Sequence, residues 1–183
     1  PMNRAELLFD LDGTLSDPIV GIWRSINYAL ASIGHPELAV EVVRDYIGPP
    51  IDQTFTRITG LTSSADVSAL VARYRERYSD VGFSENVVYP GVKETLHSLS
   101  ERGVCMGVCT SKRKDFAERI LKLFALRSFF LFVDGGDVGI EKWQQIEALK
   151  AKNAVSASSV MIGDREIDIT AAQRNGMFSA GVL

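Results

Sequence analysis

Glu6-Leu7-Leu8-Phe9-Asp10-Leu11-Asp12-Gly13-Thr14-Leu15 is the stretch from which the fold can be read. Leu7, Leu8 and Phe9 form an apolar run too short for a helix and ended abruptly by an acid, which predicts a strand buried on both faces. Asp10 and Asp12 stand at its carboxyl end. Side chains two apart on a strand point the same way, so both acids can serve one site if the extended geometry persists. Gly13 lets the backbone turn sharply. In an open α/β sheet, ligands bind at the carboxyl ends of the strands. Two anions placed there repel unless a cation or a shared proton intervenes, and an oxygen-seeking divalent ion such as Mg²⁺ is the simplest relief. On its own, the pair is explained equally well by a solvated acidic turn.

Beyond this stretch the apolar pattern turns helical. Ile19, Ile22, Trp23, Ile26, Leu30 and Ile33 form a stripe over 18–33, ended by Gly34-His35-Pro36. Further helices are expected over 40–47, 51–59 and 65–79, and Arg73, Arg75 and Arg77 fan around the last as solvated surface. No strand pattern interrupts 17–85, a block too long for a loop, so it reads as an inserted all-helical domain.

From Pro90-Gly91 the pattern alternates. Helix is expected through Leu99, strand over 104–109, helix over about 112–124, and strand over 129–133. A Gly-rich loop, a helix over about 141–150, strand over 160–162, helix to Asn175 and a last strand over 178–182 complete it. Strands alternating with helices indicate a Rossmann-like parallel sheet flanked by helices. The division expected is an α/β core from 1–16 and 86–183 with a helical domain from 17–85.

Four strand ends carry polar residues, and their convergence is far more specific than one acidic pair. The first is Asp10 with Asp12. The second is Cys109-Thr110-Ser111-Lys112, read as the start of a helix whose free N–H groups suit an anion. A plain N-cap explains Thr110 as well. Lys112, Arg113 and Lys114 oppose the dipole of that helix, either to attract an anion or as a solvated basic turn. The third is Lys142, by itself a surface lysine at a helix start. The fourth is Gly163-Asp164-Arg165-Glu166-Ile167-Asp168, with Asp164 at a strand end and Asp168 one helical turn on, facing the same way. These two acids beside Asp10 would complete an oxygen cage for Mg²⁺.

Composition sets the outer limits. The 183 residues suffice for a sizeable core, and 46% hydrophobic with 23% charged residues is ordinary for a globular protein. A net charge of −3 argues against generic nucleic-acid binding, so an anionic substrate must be attracted locally. No apolar run has the length of a membrane span and no secretory pattern is evident, so no membrane partner is expected. Cys105 and Cys109 lie on one face of a strand, too far apart to bond, and read as buried free thiols in a reducing cytoplasm. His35 and His97 have no partner at ligand spacing. Pro1 ahead of Met2 reads as a remnant or a different start. Oligomeric state is not legible.

Taken in order, the four ends resemble the four motifs of the haloacid dehalogenase superfamily of phosphotransferases, across nearly the whole chain. The resemblance implies Asp10 as nucleophile and metal ligand. It implies Asp12 as general acid and base, its carbonyl also touching the metal. Thr110 and Lys142 would hold phosphoryl oxygens, with Ser111 and Gly13 beside them, and Asp164 and Asp168 would complete the Mg²⁺ site. The helical insertion matches the cap of the phosphoglycolate phosphatase-like branch. Gly48-Pro49-Pro50 resembles its closing loop, and Asp17, Gly48, Pro49 and Lys112 are candidates for reading the substrate. An acid at position 12 points to phosphate esters, since relatives acting on carbon–halogen bonds or phosphonates carry Tyr or a small residue there. The implied activity is Mg²⁺-dependent hydrolysis of a small phosphorylated metabolite in the cytoplasm. A 5′-nucleotidase, a sugar phosphomutase and a catalytically silent phosphate-binding protein are the alternatives. The family continues past the last strand with a further helix and strand, so an incomplete sheet edge is expected where this chain stops at Leu183.

Overall fold

A computed structural model describes residues 4–46, 50–137 and 139–182. The chain divides into two compact units, Pro1–Asp17 with Val87–Leu183, and Pro18–Asn86. The first is built on five strands: β1 (Leu7–Phe9), β4 (Met106–Arg113), β5 (Phe130–Gly136), β6 (Val160–Gly163) and β7 (Phe178–Gly181). Their order is β5-β4-β1-β6-β7, and every neighbouring pair is parallel. Parallel neighbours need crossovers, supplied by α6 (Lys114–Leu123), α7 (Lys142–Ala151) and α8 (Glu166–Arg174), while α5 (Val92–Glu101) leads into β4. Leu8, Cys109, Ile146, Met161 and Ala171 pack together as one continuous core.

β1 is central. The chain builds outward from it through β4 to β5, then crosses to its other side for β6 and β7. The direction of building therefore reverses between β1 and β6, the place where open sheets leave a crevice at their carboxyl ends. Asp10 and Asp164 follow the two strands that flank it.

The second unit consists of α1 (Ile19–Ala31), α2 (Val40–Arg44), α3 (Ile51–Thr59) and α4 (Ser64–Asp80), followed by a 3₁₀ turn. Ile26, Leu30, Val43, Phe55 and Leu70 form its core. Thr54 is buried and donates from Oγ1 to the Tyr46 carbonyl. The region expected to be a helix to position 47 is helical over Val40–Arg44, and Gly48 and Pro49 lie outside the described residues.

Three expectations are corrected. Ser16–Asp17 (β2) pairs antiparallel with Val87–Val88 (β3), a two-stranded ribbon that has no apolar alternation to announce it. Strand β4 runs through Arg113, so Thr110, Ser111 and Lys112 belong to the end of a strand and α6 opens only at Lys114. Its ladder with β5 shifts register between Thr110 and Arg113, and Gly135 and Gly136 let the two backbones close up there. A Cβ on Gly136 would meet the Ser111 carbonyl at 2.4 Å. Finally, Arg77 is not solvated surface: its guanidinium bonds Glu85 at 2.9 and 3.1 Å and donates to Ser25 Oγ at 3.1 Å. No helix among the described residues is long and apolar enough to cross a membrane.

Candidate active site

Asp10 follows β1 directly and is fully buried, its N–H bonded to the Ile162 carbonyl of β6. Leu11 N–H donates to Asp10 Oδ1 at 2.7 Å, which fixes the carboxylate in the crevice. Lys142 opens α7, and its side chain is fully enclosed. Its Nζ stands 2.9 Å from Asp10 Oδ2 and donates to Asp168 Oδ1. Burial pulls the Lys142 pKa down, but the charges of Asp10 and Asp168 outweigh it and the net direction is upward. Lys142 is therefore a fixed cation. The surface-lysine reading of the sequence does not hold.

Asp168 lies in the first turn of α8, where its Oδ2 accepts the Arg165 N–H at 3.0 Å. Burial first, and then the charge of Asp10, raise its pKa against the pull of Lys142. Asp164 is exposed at the mouth of the crevice, and Thr14 Oγ1 donates to its Oδ1 at 3.0 Å. One carboxylate oxygen each from Asp10, Asp164 and Asp168 lie within 4.8 Å of one another.

Gly13 makes this approach possible. Its φ is +83°, and a Cβ there would lie 2.2 Å from Asp164 Oδ2.

The charges in the cluster do not balance. Three carboxylates are grouped, and Lys142 contacts two of them, Asp10 and Asp168, with the Arg165 guanidinium 3.8 Å from Asp10 Oδ2. Asp10 Oδ2 is buried at ion-pair distance from Lys142 yet has no hydrogen-bond partner. Buried anions left in this state are costly. Hard, closely grouped carboxylate oxygens fit a small divalent cation, so the residues present suit such an ion.

Asp12 is set apart. Its carboxylate is outside that trio and pairs with Lys112 Nζ at 2.9 Å. Burial raises its pKa, opposed by Lys112 and assisted by Asp10. Thr110 is buried at the end of β4, and its Oγ1 accepts the Lys112 N–H at 3.1 Å. It is not a helix cap, and the helix start expected at this point is an irregular strand end. Ser111 is exposed, and Asp17 is half-buried in β2. Lys112, a candidate for reading the substrate, is ion-paired with Asp12. Arg113 pairs with Asp115, and Arg24 with Glu85.

Thr14, Gln145 and Arg165 were not singled out by the sequence reading. Gln145 is buried and donates to the Thr110 carbonyl at 3.2 Å and to Asp134 Oδ2 at 2.9 Å. Its spacing of three from Lys142 on one helix is the signal that points to it. Arg165 gives no such signal.

This is a site at the carboxyl edge of a doubly wound α/β sheet, with acids from two neighbouring strand ends grouped beside a buried lysine. Residues 7–182 match the family model of haloacid dehalogenase-like hydrolases, and the chain belongs to that family. It is 37% identical to a 5′-nucleotidase of Pseudomonas aeruginosa over 96% of its own length and 81% of the relative's. It is 36% identical to a phosphoglycolate phosphatase of Vibrio parahaemolyticus, covering 96% and 82% of the two chains. A crystal structure of a candidate phosphatase from Clostridium difficile superposes with a TM-score of 0.88 at 36% identity, covering 99% of this chain and 86% of that one.

Proposed function

We propose that this chain is a Mg²⁺-dependent phosphatase that hydrolyses a small phosphate monoester through an aspartyl-phosphate on Asp10. The chain is a phosphoric monoester hydrolase of the phosphoglycolate phosphatase-like branch. The observation that supports the finer reading is the grouping of Asp10, Asp164 and Asp168 at the sheet's carboxyl edge, with Lys142 paired to Asp10 and Asp168.

Asp10 attacks phosphorus in line, forming an acyl phosphate as the P–O bond to the substrate alcohol breaks. Asp12 gives its proton to the departing oxygen, and burial favours the protonated form it needs. The resulting carboxylate then takes a proton from water, which attacks phosphorus and frees Asp10. Lys142 and Thr110 hold the phosphoryl oxygens through this exchange, so charge need not be rearranged during the transfer. Mg²⁺, held by Asp10, Asp164 and Asp168, would neutralise charge on the phosphoryl group. The helical unit Pro18–Asn86 is the cap that selects the alcohol portion. The unpaired thiols Cys105 and Cys109 support a reducing, cytoplasmic setting.

The relative named 5′-nucleotidase favours a second substrate class, nucleoside 5′-monophosphates. Phosphate release should be followed with p-nitrophenyl phosphate, phosphoglycolate, nucleoside monophosphates, sugar phosphates and pyrophosphate, with Mg²⁺ and with EDTA. Metal-dependent turnover that Asp10→Asn abolishes is the expected result. Ligand binding with no turnover, or undiminished activity of the Asp10→Asn variant, would overturn the reading. Steady phosphate release argues against a mutase.

A further inference from the structure

Gln145 lies three residues beyond Lys142 on α7, which puts both side chains on the same buried face. Its Nε2 donates to the Thr110 carbonyl at 3.2 Å and to Asp134 Oδ2 at 2.9 Å. Both neighbours are acceptors, so only the NH₂ end can face them, and the orientation of the amide is settled. Asp134 pairs with Cys109 and Gly135 with Thr110 in the β4–β5 ladder. The two acceptors thus come from adjacent strands at the edge where the site lies. Past Thr110 the ladder loses its register before Arg113, so regular pairing stops holding the strand just beyond that residue.

Packing alone does not ask for an amide at position 145. Leu has similar volume and no desolvation cost. Gln145 Oε1 is itself buried with no hydrogen-bond partner among the described residues, so what the side chain contributes is its donors, at the expense of an unsatisfied acceptor.

We propose that Gln145 is a positioning residue for phosphoryl transfer, clamping the Thr110 backbone so that its hydroxyl stays directed at the phosphoryl group on Asp10. This rests on the assignment of Thr110 to phosphate binding given above. Helix α7 then acts on the reaction twice. Lys142 acts by direct charge, and Gln145 acts through Thr110.

The test is a double-mutant cycle with Gln145→Leu and Thr110→Ala, read by p-nitrophenyl phosphate kinetics and by inhibition with orthophosphate. Each single variant should lower kcat/KM roughly 10- to 100-fold, the range for a misplaced binding group, and weaken orthophosphate inhibition. The double variant should be no worse than Thr110→Ala alone, because Gln145 has no other route to the phosphate. Losses that multiply in the double variant, or a Gln145→Leu protein as active as the parent, would refute the clamp. A Thr110→Ala protein with unchanged kinetics and inhibition would instead remove the assignment of Thr110, and the clamp with it. Should Gln145→Leu not fold, Gln145→Met carries the same test, since its thioether keeps the length but has no hydrogen to donate to the Thr110 carbonyl.

Discussion

Replacing Lys142 by Met keeps the length of the stem and removes the charge. The lysine side chain is 0% exposed and the two carboxylates it faces are each 1% exposed, so solvent screens neither pair. Removing one partner of a buried ion pair costs about 3–5 kcal/mol, because the other charge is left behind. That is a third or more of the stability of many domains. For a chain of this size it corresponds to a drop in melting temperature of roughly 6–20 °C. The chain has two units, so the transition of the α/β unit should be isolated by monitoring Trp143 fluorescence in a Trp23→Phe background. The loss should be largest in EDTA. A divalent ion at about one hundred times its Kd should restore about 2.7 kcal/mol. The sign with pH is also fixed. Burial raises the folded pKa of Asp168 above its unfolded value, so the folded state holds the extra proton between those two values. The Lys142→Met defect should therefore shrink as pH falls through that window and reach its full size above it. A variant melting within about 2 °C of the parent in EDTA at neutral pH would refute the charge argument.

Two further perturbations test other parts of the structure. Gly13→Ala places a Cβ 2.2 Å from Asp164 Oδ2 at a φ of +83°. It should cost about 1–2 kcal/mol in backbone strain and weaken Mg²⁺ binding measured by titration calorimetry, whereas unchanged affinity would show that the close approach is irrelevant to the acids. In the helical unit, the hydrogen bonds from Arg77, partly offset by burial and reinforced by Arg24, hold the Glu85 carboxyl below its ordinary range. Its contribution to stability is full above the unfolded value and is lost as pH falls through the depressed folded one. Glu85→Gln should flatten the acid limb of the stability profile followed by Trp23 fluorescence in a Trp143→Phe background, and an unaltered limb counts against the network.

The first and fourth strand ends were legible because each joins a short apolar run to an acid, and the recurrence of that junction is more specific than either one alone. Leu8-Phe9-Asp10 and Ile162-Gly163-Asp164 need no tertiary information to be recognised. The start of α6 was not legible. Nothing in Thr110-Ser111-Lys112 distinguishes a capped helix start from a strand that bulges, and the choice is made by Gly135 and Gly136 of the neighbouring strand. The destinations of long side chains were equally hidden. Lys112 turning to Asp12, Arg77 to Glu85 and Thr14 to Asp164 are contacts over sequence separations that periodicity cannot see. The two-stranded ribbon escaped because Ser16-Asp17 and Val87-Val88 are too short to show alternation.

That ribbon has a consequence for how the chain could have come about. Ser16 sits opposite Val88 and Asp17 opposite Val87, so the polypeptide departs for its helical excursion and returns to the sheet at the same doorstep. Antiparallel neighbours can be joined by a turn of about two residues. The whole excursion could therefore be exchanged for a tight hairpin, or for an unrelated insert of any length, without moving a single strand of the five-stranded sheet.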